Sequence, residues 1–242
     1  MGDLVPIETN NATDMELTVP ANNRKETLKF LEGQPHTLEL PGFSAPPGYQ
    51  LLESRKETHS ECELKVIALV YTGSQVSWEC ISCPQDLDEL EIVYKVKVIK
   101  AQCLPIGYDV SNGSNVLVWK QPAGHHSAAT NGLGRLMINY LLGIYTIVLT
   151  NEQQTEDNKR FWFDRMGELL STKACSIYYS DLGDTFADSL KARVFKVSTF
   201  EHLFEYFIPL GWGDTKELEK RVFILSKTDT TYGKNHYAEL TR

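Results

Sequence analysis

Residues 59–83 read HSECELKVIALVYTGSQVSWECISC. Two apolar runs, LKVIALVY and SQVSWECI, flank Thr72-Gly73-Ser74. A glycine in a short polar loop between such runs predicts a β-hairpin. His59-x2-Cys62 stands at one end of it and Cys80-x2-Cys83 at the other. Four imidazole or thiolate donors in two x2 pairs suit tetrahedral zinc, since each tight turn aims its donors inward and the hairpin brings the pairs together. The seventeen residues between the pairs suffice for two strands and a turn. A plainer reading makes Cys80 and Cys83 small buried apolar side chains and His59 an exposed loop residue.

With histidine in the first ligand position, this arrangement resembles a zinc ribbon over 59–83. The resemblance implies a structural Zn2+ held by His59, Cys62, Cys80 and Cys83. Four protein ligands close the coordination shell and leave no position for an activated water, so such an ion supports folding and not catalysis.

Outward from the hairpin, β signals continue. In IVYKVKVIK (92–100), Tyr94, Val96 and Val98 alternate with Lys95 and Lys97, which predicts a strand with one wet face. NVLVW (115–119) predicts another. After residue 130 helices and strands mix. GLGRLMINYLL predicts a short helix, YTIVL a buried strand, TEDNKRFWFDRMGELL a helix with Trp162, Met166 and Leu169 on one face, CSIYY a strand, and RVFILS the last strand. Ser198-Thr-Phe-Glu201 reads as a capping box opening a helix with Phe200, Leu203, Phe204 and Phe207 at helical spacing. The expected class is α+β with a β-rich first half. Residues 1–58 read as an irregular N-terminal arm in which NNRKETLKFLEG makes two helical turns stopped by Gly33, and 59–242 as a single domain with a candidate subdivision near 125–131.

Composition narrows the function. With 42% hydrophobic residues the chain has material for a core, and its formal charge is −8 with no Lys/Arg run longer than two. Nucleic acid and anionic lipid are therefore disfavoured partners. The first residues lack the basic and apolar regions of a signal peptide. The longest apolar run, LMINYLLGIYTIVL (136–149), is too short to span a bilayer. Five cysteines without an export signal read as reduced thiols of an intracellular protein, cytoplasmic or nuclear.

Three further motifs carry chemistry. Gly132-Leu-Gly134 opens a helix, YTIVL follows, and the next helix contains Trp162-Phe-Asp-Arg-Met-Gly167. This order resembles the cofactor half of GNAT acetyltransferases over 132–167. The resemblance implies that backbone N–H groups at Gly132 and Gly134 receive the pyrophosphate of acetyl-CoA at a helix N-terminus. The chain departs from that family's pattern at Ala129, where it has Arg or Gln, and at Phe163, where its tyrosine supplies a hydroxyl. Pro46-Pro47-Gly48-Tyr49 fits the PPxY pattern that WW domains take up as polyproline II; the competing reading is a Pro-Gly turn leading into YQLLE. Gly124-His125-His126-Ser127 reads as a polar loop or, with Cys103, as a second metal cluster, and DLDELE (86–91) as a solvated strand approach. The leading expectation is a non-catalytic binding or structural protein with a structural zinc; the alternative is a GNAT-like acyl-CoA-dependent N-acyltransferase.

Overall fold

A computed structural model describes residues 17–55, 63–73, 89–101, 113–121, 124–150, 156–181, 193–212 and 221–227. The class is α+β: a nine-stranded mixed sheet with helices. His59, Cys62, Cys80, Cys83, Cys103 and the second strand of the expected hairpin lie outside the described residues.

Contacts divide the chain into two compact units. The first comprises Met1–Glu61, Lys65–Lys97 and Val118–Leu133; the second comprises Cys62–Leu64, Val98–Leu117 and Gly134–Arg242. Within 17–55, where the sequence reads as an irregular arm, the chain forms a helix and two strands. Helix α1 spans Pro20–Glu32, with proline in its first turn, where a missing N–H costs nothing. Its inward residues Asn23, Thr27 and Leu31 recur at four-residue spacing. Gly33 keeps an ordinary φ of −68°, and Gln34, at φ 48°, takes the left-handed position after the helix. Strand β1 (His36–Thr37) pairs antiparallel with β2 (Tyr49–Glu53), which pairs antiparallel with β3 (Glu63–Tyr71) from Tyr49↔Tyr71 to Glu53↔Ile67. Leu31, Leu52, Ala68, Val70, Leu90 and Ile92 form a core cluster of this unit.

Strand β4 (Glu91–Lys100) neighbours β3, and β5 (Gly113–Lys120) lies on its other side. Gln121 N–H donates to Val93 O at 3.0 Å and Ala101 N–H to Gly113 O at 2.9 Å, so β4 and β5 run antiparallel. The expected wet face of β4 is not found over Ile92–Val96, because α1 packs there. Even Lys95 is 8% exposed, and its ammonium lies 3.9 Å from Glu26. Asn23 explains how a polar residue sits in that contact. Its amide donates to Ile92 O at 2.9 Å and accepts from Ile92 N–H at 2.8 Å, which pairs both backbone groups of one strand residue.

The chain then runs through a short helix α2 (Ser127–Thr130), α3 (Leu133–Leu141), β6 (Thr146–Thr150), α4 (Glu156–Ser171), β7 (Ser176–Asp181), β8 (Arg193–Val197), a π-helical turn (His202–Phe207), α5 (Ile208–Trp212) and β9 (Arg221–Ser226). β9 lies between β6 and β7, antiparallel to both, and β8 pairs antiparallel with β7. The sheet order is β1-β2-β3-β4-β5-β6-β9-β7-β8. Ala101, Val148, Tyr178, Val194, Val222 and Ile224 form a core cluster of the second unit. Trp162, Met166 and Leu169 are buried on α4 as expected. The Phe200–Phe207 stripe does not follow one face. The π turn widens the period, so Leu203 and Phe207 are buried while Phe200 is 58% exposed. The N-terminal cap is Thr199, whose hydroxyl accepts from His202 N–H at 3.1 Å.

Candidate functional site

Among the described residues, two places bring chemistry-bearing residues together. At the first, β5 runs parallel to β6, whereas the other neighbours with known register are antiparallel. Parallel pairing covers Gly113↔Thr146 and Ser114↔Ile147 and then stops, although both strands continue. The crossover between them carries α2, the turn at Asn131-Gly132 and α3. Gly132 has φ +72°, a left-handed conformation that favours glycine, and a Cβ there would meet nothing within 4 Å. The space beside that backbone is therefore open. Gly134 lies inside the first turn of the nine-residue α3, after Leu133, which is fully buried. The paired glycines of the sequence thus do different work: Gly132 makes the turn, and Gly134 belongs to the helix it opens.

At the second, the loop after β5 folds back over the start of β4. His126 is 3% exposed, and both ring nitrogens are engaged. Nε2 lies 2.6 Å from Glu91 Oε1, and Nδ1 lies 2.8 Å from the Tyr49 hydroxyl. Gln121 donates to the other Glu91 oxygen at 3.1 Å. Because the carboxylate accepts, Nε2 donates to Glu91; in the neutral ring Nδ1 then accepts from the Tyr49 O–H. Tyr71 closes the ring cluster, 5.0 Å from His126 and 4.8 Å from Tyr49 between centroids. Burial, then the Glu91 charge, raises the Tyr49 phenol above its usual range. A neutral phenol donating to an imidazole follows; an activated phenolate does not. His125 stacks on His126 with centroids 3.8 Å apart, its side chain 78% exposed and its Nε2 3.9 Å from Glu91 Oε1. Glu91, His125 and His126 together offer three metal-capable donor atoms within 4.8 Å of one another.

Pro46, Pro47 and Tyr49 adopt the turn of the competing reading. Tyr49 N–H donates to Pro46 O at 3.0 Å with Gly48 at φ +83°, the left-handed value a type II turn needs at its third residue. Tyr49 then enters β2 with its hydroxyl on His126. A WW domain would have to open this turn and release the phenol. The segment also lines a surface groove of about 1000 Å3 bounded by residues 37–51.

Glu91 is the residue that sequence reasoning misses. It sits in an acidic approach to a strand, and only the β4–β5 register, with Val93 beside Gln121, brings it under the His125-His126 pair. An acidic strand start followed one strand later by a His-His loop is the signal that points to it. Cys175 offers no nucleophile: burial, partly offset by Lys227, pushes its thiol up to about 11. Comparison with protein-family models, with curated proteins and with solved structures finds no match.

Proposed function

We propose that the chain is a GNAT-like, acyl-CoA-dependent N-acyltransferase whose cofactor turn is Gly132–Gly134. The observation that carries this reading is the parallel pair β5–β6, which stops pairing after two residues and is joined by a crossover with a left-handed glycine before a helix. In open sheets, ligand-binding loops gather at the carboxyl ends of parallel strands. The loop from β5 to α3 leaves from such an end. A helix N-terminus there presents unpaired backbone N–H groups and a partial positive charge to a phosphate. The bound cofactor would supply the activated acyl thioester; this chain's turn would hold its pyrophosphate. Phe163 leaves the thiol's proton donor to another group, because it has no hydroxyl.

Thermal melting of the full chain with and without acetyl-CoA tests the reading. A ligand present at 100 times its dissociation constant adds about 2.7 kcal/mol, so a rise in Tm of several degrees is expected. No rise at millimolar acetyl-CoA, with none by calorimetric titration, removes the reading.

The second reading, a binding or structural protein with a structural zinc at His59, Cys62, Cys80 and Cys83, rests on their spacing in the sequence. Metal analysis of untagged protein tests it: about one thiolate-bound zinc per chain is expected, lost in Cys80→Ser.

A further inference from the structure

We propose that Glu91, His125 and His126 form a zinc-class divalent metal site with an open coordination position, and that Tyr49 is the hydrogen-bond partner that orients His126 in it. The inference stands apart from the acyltransferase reading and holds whether or not acetyl-CoA binds.

The donor set is two imidazoles and one carboxylate, which suits zinc and its first-row neighbours better than magnesium or calcium, which favour all-oxygen shells. The protein has placed the three groups on framework it already stabilises. Glu91 opens β4, its second oxygen held by Gln121. His126, itself buried, is held between Glu91 and Tyr49 beside the half-buried ring of Tyr71. His125 is the exposed member: its side chain is 78% exposed and touches the cluster through its stacking on His126, so it has room to turn toward Glu91.

The distances say what binding requires. Zinc–nitrogen bonds of about 2.0–2.1 Å put neighbouring donors of a tetrahedral site about 3.3 Å apart. Glu91 and His126 are 2.6 Å apart, a separation spanned now by one proton; a metal ion replaces that proton after an opening of under about 1 Å. His125 Nε2, 3.9 Å from Glu91 Oε1, closes in by a similar amount. Three protein donors then leave one tetrahedral position for water or an external ligand.

The proton on His126 has one place to go. Metal at Nε2 needs the lone pair there, so the ring carries its proton on Nδ1 and donates it to the Tyr49 oxygen. The Tyr49 hydroxyl, a donor in the metal-free arrangement, becomes an acceptor, and its own hydrogen turns away. A ligating imidazole that donates its second N–H to a fixed partner is the general pattern of such sites.

Titration of the chelator-stripped full chain with Co2+, followed by Zn2+ displacement, tests this. Cobalt bound by imidazole and carboxylate shows visible bands without thiolate charge transfer, whereas cobalt at a cysteine site shows that charge transfer. Expected is one cobalt-binding event of the first kind. His125→Ala should weaken it at least tenfold while the melting curve in chelator stays unchanged, and Glu91→Gln should abolish it. Tyr49→Phe should weaken it about 10–100-fold. If the only bound cobalt is thiolate-ligated, or if His125→Ala binds as the unaltered chain does, the site is overturned. An unchanged affinity in Tyr49→Phe overturns the role of the phenol alone.

Discussion

Tyr94 shows how a single buried atom sets a pH limit on the fold. Its ring is 2% exposed on β4, and its hydroxyl has no hydrogen-bond partner among the described residues. Desolvation pushes its pKa above the usual tyrosine value. The sign follows from linkage. Below pH 10 the phenol is neutral in both states and stability is unaffected. Above it the unfolded phenol loses its proton while the folded one keeps it, so the folded state loses ground as pH rises. Tyr94→Phe should therefore flatten the decline in chemical-denaturation stability between pH 10 and 11.5. At neutral pH it should leave stability unchanged or raise it by about 1 kcal/mol, because it removes an orphaned polar atom. A loss of several kcal/mol at pH 7 would show that the hydroxyl has a partner after all.

At the scale of elements, α1 and β4 are joined both by apolar packing, Leu31 with Ile92, and by one amide. Asn23→Ala takes away both bonds to Ile92, leaving the Ile92 carbonyl without its Asn23 donor while Thr27 Oγ1, 3.0 Å from Ile92 N, still holds the N–H. A loss of about 1–3 kcal/mol in urea denaturation is expected, with Asn23→Asp no better because a carboxylate cannot donate. The same contact explains which elements were readable from sequence. β3 to β7, β9, α3 and α4 announce themselves through local apolar patterning, and that pattern is what folds them. Residues 17–55 look irregular because Asn23 and Thr27 are polar, and only distant Ile92 makes them core residues. The π turn escapes a period of 3.6 for a local reason, one added residue per turn. The Glu91–His126 pair escapes because antiparallel register, which periodicity does not carry, brings together groups 35 positions apart. His125 and His126 were visible as chemistry, and their acidic partner was not.

At the scale of the whole molecule, the arrangement of strands matters more than any one of them. β9, the last described strand, completes the ladder between β6 and β7, with Ile147↔Leu225 and Ile177↔Leu225 sharing one residue. Val222, Phe223, Ile224 and Leu225 are wholly buried. A chain stopped at residue 220 should keep far-UV signal from its helices yet lose the cooperative thermal transition of the second unit. Full cooperativity in that truncation would mean that β6 and β7 can pair without it.

That central placing of a late strand bears on how the polypeptide is made. Until residues 221–226 have been made, β6 and β7 lack the strand that pairs with both of them in the finished sheet. A nascent chain in that condition is a substrate for trigger-factor-like holdases and a seed for edge-to-edge clumping. Synthesis pauses before the final segment should therefore lower the soluble yield, while equal pauses before residue 113 should cost little.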